Sequence, residues 1–292
     1  MTKIACFVEK YNFNDLKEAA ALQNFKQVAE RMGHEFNFLF RRNISEIPKY
    51  EAVFIRATTD PLYTAYVVSK TAWELGLKVI DDPKSIQTCA NKIHQYKLLE
   101  KFNVPHIPTI FLNKEEFHHK QISEIFEIFG KPVVLKAPYT SFSKYVEKVA
   151  CEASFRDVAK KFFRRSDVLV VQKFTPSRFD WRVGVLNGEA LYVCKYMIPK
   201  GKWKHGAKRK GKPSFIWGRT FSIKRENAPL RLKEIALRAC EVIGHGLYGV
   251  DIKENNGDYV VVEVNDNPSI YKGCEDFRNG DIYKKIITYL AG

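Results

Sequence analysis

The sequence predicts a protein of the α/β and α+β class: a small N-terminal doubly wound α/β unit, then mixed structure that becomes mostly antiparallel. Three observations predict it. Short apolar runs alternate with segments of helical spacing as far as Asp82-Pro83. Asn187-Gly188 and Asn255-Asn256-Gly257 each separate two apolar runs, as hairpin turns do. The length of 292 residues suffices for two or three lobes with a buried core, and no apolar run is long enough to span a bilayer.

Ile4–Val8 opens the chain as a strand, so no secretory leader is expected. Asp15–Met32 has helical spacing, with Asn14 or Asp15 as its cap. Phe36–Phe40 and Ala52–Ile55 are short apolar strands, Leu62–Leu75 is a helix stopped by Gly76, and Lys78–Ile80 is a strand. Beyond Asp82-Pro83 the spacing predicts helices over Asn91–Phe102, ended by Pro105 and Pro108, and over Glu115–Phe129, closed by Gly130. Pro132–Lys136 and Val146–Val149 are strands around a polar loop, Ser154–Phe163 is a helix and Val168–Phe174 a strand. Trp181–Leu186 and Ala190–Tyr196 join through Asn187-Gly188. Ala228–Ile243 is a helix, followed by the second hairpin and a closing helix over Ile282–Leu290. No internal repeat is present. Lys200–Lys212, dense in glycine and positive charge, reads as a mobile loop.

The six cysteines (Cys6, Cys89, Cys151, Cys194, Cys240 and Cys274) are scattered, with no CxxC pair and no histidine at ligand spacing. They read as reduced core thiols of a cytoplasmic protein rather than a disulfide framework or zinc site. His118-His119 are adjacent on a predicted helix and therefore do not face one another, which argues for surface residues. The net charge of +15 invites a nucleic-acid reading. Lysine far outnumbers arginine, however, and no base-reading motif is present, so a solvated surface with a basic phosphate site accounts for the charge better.

The residues placed to do chemistry lie around the two hairpins. If the loop after Asn255 has three residues, with Gly257 in the left-handed position, then Asp251, Glu263 and Asn265 share one face of the sheet. A two-residue loop puts Asp251 on the opposite face. Two carboxylates and an amide oxygen on a rigid sheet suit a hard cation such as Mg²⁺. The alternative, an acidic strand end in solvent, fits poorly with the valine-rich run Val260–Val264. A two-residue turn at Asn187-Gly188 sets Asp180 opposite Lys195, with Arg182 on the same face. That cluster is either a cross-strand salt bridge or a wall for phosphate and ribose. Lys136 ends a buried strand, where a lysine calls for an anion. Gln172-Lys173-Phe174 is either a core strand end or a hinge whose backbone pairs with an adenine edge.

Taken together, these pieces resemble the ATP-grasp superfamily, and within it the RimK-like carboxylate–amine ligases. The stretches that carry the resemblance are YEAVFIRATT (residues 50–59), VIDDPKSI (79–86), NKIHQYKLL (91–99), FDWRVGVL (179–186), CKY (194–196), GLYGVDIK (246–253) and EVNDNP (263–268). The resemblance implies an ATP-grasp fold, with an N-terminal domain over 1–88, a small lobe over 89–175 and a large lobe over 176–292, the last two clasping ATP. It implies that Lys92 and Lys136 contact phosphates, that Gln172, Lys173 and Phe174 form the adenine hinge, and that Asp180 lies near the sugar. Lys195 would lie near the phosphates and, with Arg182, act in catalysis. Asp251, Glu263 and Asn265 would hold Mg²⁺, or Mn²⁺ in its place. Arg56 and Arg219 are candidates for gripping a substrate carboxylate.

The activity so implied is amide formation through an acyl phosphate, on an amino acid such as glutamate or a short peptide, by a cytoplasmic enzyme. A homodimer is a family-level expectation. Nucleic acid and membrane are not expected partners. Three features depart from the family pattern: Lys173 stands where the hinge commonly has an acid, and two others bear on function. The phosphate-covering loop, Tyr139–Tyr145, contains no glycine, and the segment 200–212 is unusually basic. The first motivates an alternative reading as a nucleotide-binding pseudoenzyme or regulator. The second motivates a ligase acting on a protein or acidic peptide tail.

Overall fold

The computed structural model describes residues 1–139, 145–208, 215–255 and 257–292. The first unit comprises β1 (Lys3–Phe7), α1 (Leu16–Arg31), β2 (Glu35–Leu39), β3 (Ala52–Ile55), α2 (Thr64–Glu74) and β4 (Lys78–Ile80). Its sheet is parallel, in the order β2-β1-β3-β4. Ile4, Cys6 and Phe54 face a core containing α1, whereas Ala5, Phe7, Val53 and Ile55 face one containing α2. Burial on both faces is why these strands read as continuous apolar runs. Asp15 caps α1, accepting from the Lys17 and Glu18 N–H groups.

Next come α3 (Pro83–Ala90) and α4 (Lys92–Lys101), capped by Asp82 and Asn91 respectively. The periodicity did not reveal α3. Asp82-Pro83, which reads as punctuation, is also a helix-start signal, with the cap followed by proline in the first turn. The second unit comprises β5 (Thr109–Asn113), α5 (His119–Phe129), β6 (Val133–Lys136), β7 (Val146–Val149), α6 (Glu152–Phe162) and β8 (Val168–Lys173). Its antiparallel sheet runs β5-β8-β6-β7. Leu135, Leu169 and Val171 pack under α5 and α6, so the alternate residues Val134, Lys136, Val170 and Gln172 face the other way. His118 is the N-cap of α5, its ring accepting from the Gln121 N–H.

The third unit comprises β9 (Phe179–Leu186), β10 (Glu189–Met197), β11 (Gly206–Lys208), β12 (Phe215–Trp217), β13 (Thr220–Ile223), α7 (Leu230–Glu241), β14 (Leu247–Asn255), β15 (Asp258–Asp266) and α8 (Ile282–Ala291). The main sheet runs β13-β10-β9-β14-β15, all antiparallel, and α7 packs on the face that carries Val183, Val193, Val250 and Val264. Within the segment read as a mobile loop, Gly206–Lys208 pairs with Phe215–Trp217; residues 209–214 lie outside the described residues. α8 returns to the first unit, where Ile282, Ile286 and Leu290 share a core with Ile4, Phe25 and Phe54. Among the described residues no helix is long and apolar enough to cross a membrane. All six cysteines are free; Cys151 is exposed and Cys274 half-buried, so the core-thiol reading holds for the other four.

The outer edge of β15 is covered rather than exposed. Val261 exchanges hydrogen bonds with the chain before β5: its N–H donates to Pro105 O at 2.9 Å and its carbonyl accepts from Ile107 N at 3.0 Å. The Gln95 amide bonds both the N–H and the carbonyl of Val264. This ties α4 and the second unit to the third. Packing inside the main sheet is equally tight. A Cβ on Gly184 would lie 2.1 Å from Cε1 of the fully buried Tyr192 ring. Gly184→Ala is therefore expected to destabilise the protein by about 1–3 kcal/mol or more, read as a lower melting temperature.

Candidate active site

Two strand bulges decide which side chains meet. In the β14–β15 hairpin Asn255 pairs with Asp258, so two residues separate the strands, and the three-residue loop is not what the chain uses. Of the two, Asn256 lies outside the described residues, and Gly257 takes φ +85°. Two-residue geometry alone would send Asp251 to the wrong face. Instead Ile252 pairs with Val261 and Asp251 with Glu263, leaving Val262 as an extra residue. The bulge restores Asp251, Glu263 and Asn265 to one face. The Val262 carbonyl accepts a hydrogen bond from the Tyr96 hydroxyl.

A second bulge overturns an expectation. In the β9–β10 hairpin the register shifts at Leu191, so Asp180 pairs with Tyr196, Arg182 with Cys194, and Lys195 with Trp181. Lys195 therefore does not face Asp180. It lies on the opposite face, its Nζ 4.4 and 4.5 Å from the ring centroids of Phe179 and Trp181. The site for which Lys195 was a catalytic and phosphate-binding candidate does not contain it.

The remaining residues form a charge network of partly buried carboxylates and buried lysines. Arg182 donates from Nε and Nη2 to the two Asp251 oxygens at 2.7 and 2.9 Å, a bidentate pair. Asn265 Nδ2 donates to Asp251 Oδ2 at 3.2 Å and to the Gly249 carbonyl at 3.3 Å. Lys92, on the first turn of α4, lies 3.1 Å from Glu263 Oε1. Lys253, two residues beyond Asp251 and so on the same face, holds Asp180 at 2.6 Å. Sequence reasoning passed over Lys253, although its even spacing from Asp251 marked it. Lys92 and Lys136 are 2% and 5% exposed. Burial opposes ionisation of Glu263, yet Lys92 and Lys136 outweigh it and hold the carboxyl below its ordinary range. Burial raises Asp251 in spite of Arg182. Burial lowers Lys136, against the pull of Glu263, Asp251 and Asp180.

Gln172 is buried, donating from Nε2 to Thr109 Oγ1 at 2.9 Å. Its backbone lies in the ladder between β5 and β6, and the Lys173 N–H is bonded to the Pro108 carbonyl. Phe174 is thus the first residue beyond the ladder, and the exposed Lys173 side chain points to solvent. Phe174 meets Trp203 edge-on at 6.2 Å, with Lys148 Nζ 4.6 Å above its ring. Lys204 donates to the Val146 carbonyl of β7 at 2.8 Å. Neither Trp203 nor Lys204 was singled out for this role, because only the tertiary structure brings segment 203–204 onto the second unit. Residues 140–144 of the glycine-free loop lie outside the described residues; Tyr145 adopts φ +50° despite its bulk. Arg56 leaves β3 and is 5% exposed. Arg219 is exposed between β12 and β13, and no described contact brings its side chain to the network.

The donor set fits a hard cation in one particular way. Among the described residues no group of three or more His, Cys, Asp or Glu could hold a metal by itself. Two opposed carboxylates and one amide match an ion whose remaining ligands come from substrate phosphates and water, the usual arrangement for Mg²⁺. The network also makes Glu263 structural. Glu263→Ala removes the acid between two buried lysines and is expected to lower the apo-protein melting temperature more than Glu263→Gln does. Lys195→Met is expected to leave ATP affinity near wild type, whereas Lys136→Met is expected to weaken it roughly tenfold or more, as read by calorimetric titration.

Residues 89–290 match the family described as the RimK-like ATP-grasp domain. The glutamate–LysW ligase ArgX of Sulfolobus acidocaldarius is 24% identical over 254 residues, covering 83% of this chain and 82% of that protein. The alpha-aminoadipate–LysW ligase LysX of Saccharolobus solfataricus is 26% identical over 238 residues, covering 78% and 79%. Among solved structures, a RimK domain ATP-grasp protein from Sphaerobacter thermophilus superposes with TM-score 0.72 at 18% identity, covering 99% of this chain and all of that one. The D-alanine–D-alanine ligase of Bacillus anthracis, crystallised with ATP, superposes with TM-score 0.70 at 14% identity, covering 99% and 96%. With the match spanning most of its length, the chain belongs to the RimK-like ATP-grasp family.

Proposed function

We propose that this chain joins a carboxylate to an amine at the expense of Mg-ATP, acting on an amino acid such as glutamate or on a short peptide. As an ATP-grasp family member it is an ATP-dependent ligase. The observation that carries the reading is the convergence of Lys92, Lys136 and Arg182, from three separate elements, on the opposed carboxylates Asp251 and Glu263.

In this reading Lys92 and Lys136 bind the phosphates between the second and third units. The backbone beyond Lys173 receives the adenine, and Asp180, steadied by Lys253 and Ser177, receives the sugar. Asp251, Glu263 and Asn265 hold Mg²⁺, which when bound supplies charge neutralisation on the phosphates. The substrate carboxylate oxygen bonds to the γ-phosphorus as the β–γ bridging bond breaks, giving an acyl phosphate and ADP. The amine then bonds to the acyl carbon and gives up a proton to solvent, and phosphate leaves with the C–O electron pair. Arg182 is oriented toward the charge that develops in both steps. Because that charge is met by groups already fixed in place, positioning and electrostatics do most of the catalytic work.

The test is ADP release from Mg-ATP across amino acids and short acidic peptides, with mass spectrometry of the products. Release that needs one acid and one amine, yields the condensed product, and is lost in Glu263→Gln and with chelator is the expected result. Full release by Glu263→Gln would remove the metal assignment.

A further inference from the structure

The main sheet ends in two edge strands, β13 and β15. The chain before β5 covers β15, whereas β13 is left open. The register shows which of its backbone groups are free. The Ile198 N–H donates to the Arg178 carbonyl and the Met197 N–H to the Arg219 carbonyl, both at 2.9 Å. Alternate residues of β10 thus bond opposite neighbours, with Val193, Lys195 and Met197 facing β13. Their partners Phe221 and Ile223 turn their backbone inward. The N–H and C=O groups of Thr220 and Ser222 therefore point away from the sheet, and no described residue bonds them.

A groove of about 460 Å³ lies beside this edge, between β13 and residues 273–278. Phe221 from the strand and Phe277 from the opposite wall both line it, and they are 48% and 69% exposed. Lys224 and Arg278 line it too, and no acid does. Lys224 Nζ is 3.9 Å from Glu226 Oε1, a loose pair between exposed side chains. The opposite wall is fixed to the strand, because Ser222 Oγ accepts from the Arg278 N–H at 3.2 Å and from Asn279 Nδ2 at 3.1 Å.

The ordinary reading is a protected edge, since β13 has only four residues and a lysine follows it. Protection does not account for two phenylalanines set in solvent along a groove. A strand added here supplies what each part lacks: backbone partners for Thr220 and Ser222, apolar side chains for the two rings, and carboxylates for Lys224 and Arg278. A second copy of the chain is the poorer occupant, because a net charge of +15 repels its like. We infer that β13 and its groove dock an extended acidic peptide of a partner protein, which joins the five-stranded main sheet as an added strand. β10 and β9 separate this edge from β14, which carries Asp251, so the peptide is anchored away from the reacting groups.

The test is fluorescence anisotropy of the full chain with labelled pentapeptides that alternate Glu with Phe or Val, and with counterparts in which Lys replaces Glu. The acidic peptides are expected to bind roughly tenfold or more tightly than the basic ones, and less so at high salt. Methylating one alternate set of peptide nitrogens is expected to weaken binding roughly tenfold, and methylating the other to leave it near unchanged, since only one set faces the edge. Lys224→Glu combined with Arg278→Glu is expected to abolish the preference for acid, with ATP affinity unchanged. The inference is overturned if no acidic peptide binds at millimolar concentration, if the basic peptides bind as tightly, or if both methylated sets behave alike. A dimer seen by sedimentation and lost in Ser222→Pro would give the edge to a second copy and overturn it too. The peptide series decides the matter on the wild-type chain even if Ser222→Pro fails to fold.

Discussion

Half-burying the Asp251 and Glu263 carboxylates, whose side chains stay 22% and 25% exposed, is the constraint on which the rest of this structure depends. Each buried ion costs several kcal/mol unless counter-charges and hydrogen bonds meet it in good geometry. Here the counter-charges come from far apart in the chain: Arg182 from β9, Lys92 from α4 and Lys136 from β6. The carboxylates therefore meet their counter-charges only while the third unit, the helix leading into the second, and the second unit's sheet hold one another in register. The main chain at Pro105 and Ile107 and the side-chain amide of Gln95 do this through hydrogen bonds to the backbone of β15, which are directional where apolar packing is not.

In the proposed reaction the same arrangement serves the chemistry. Phosphoryl transfer needs charges already in place, since reorienting groups during the reaction would cost the energy that catalysis is meant to save. Arg182, gripped at two atoms by Asp251 and backed by the Tyr196 ring 5.0 Å away, has little freedom to reorient. The protein accepts a local electrostatic burden in the apo state and gains a preorganised site from it.

The contact of segment 203–204 with the second unit complements this network from the other side. Trp203 on Phe174 and Lys204 on the Val146 carbonyl join the third unit to the second at the strand ends where the nucleotide is proposed to sit. Lys204 of this basic segment thus has a structural use, besides the solubility and steering that net charge supplies.

The sequence alone determined the class of fold, most helices and strands, and the identity of the metal candidates, because side-chain period, caps and turn residues are local properties. Asp15, one of the two cap candidates, caps α1, and Asn187-Gly188 turns as its composition requires. What the sequence left open was register. One extra residue at Val262 rescued the Asp251 face from an unexpectedly short loop, and one at Leu191 sent Lys195 to the opposite side. A bulge carries no fixed residue signature, and its placement is decided by the neighbouring strands and by partners such as Tyr96 that are distant in sequence. The return of α8 to the first sheet is likewise a tertiary decision. It depends on which apolar faces find each other, and periodicity shows only that such faces exist.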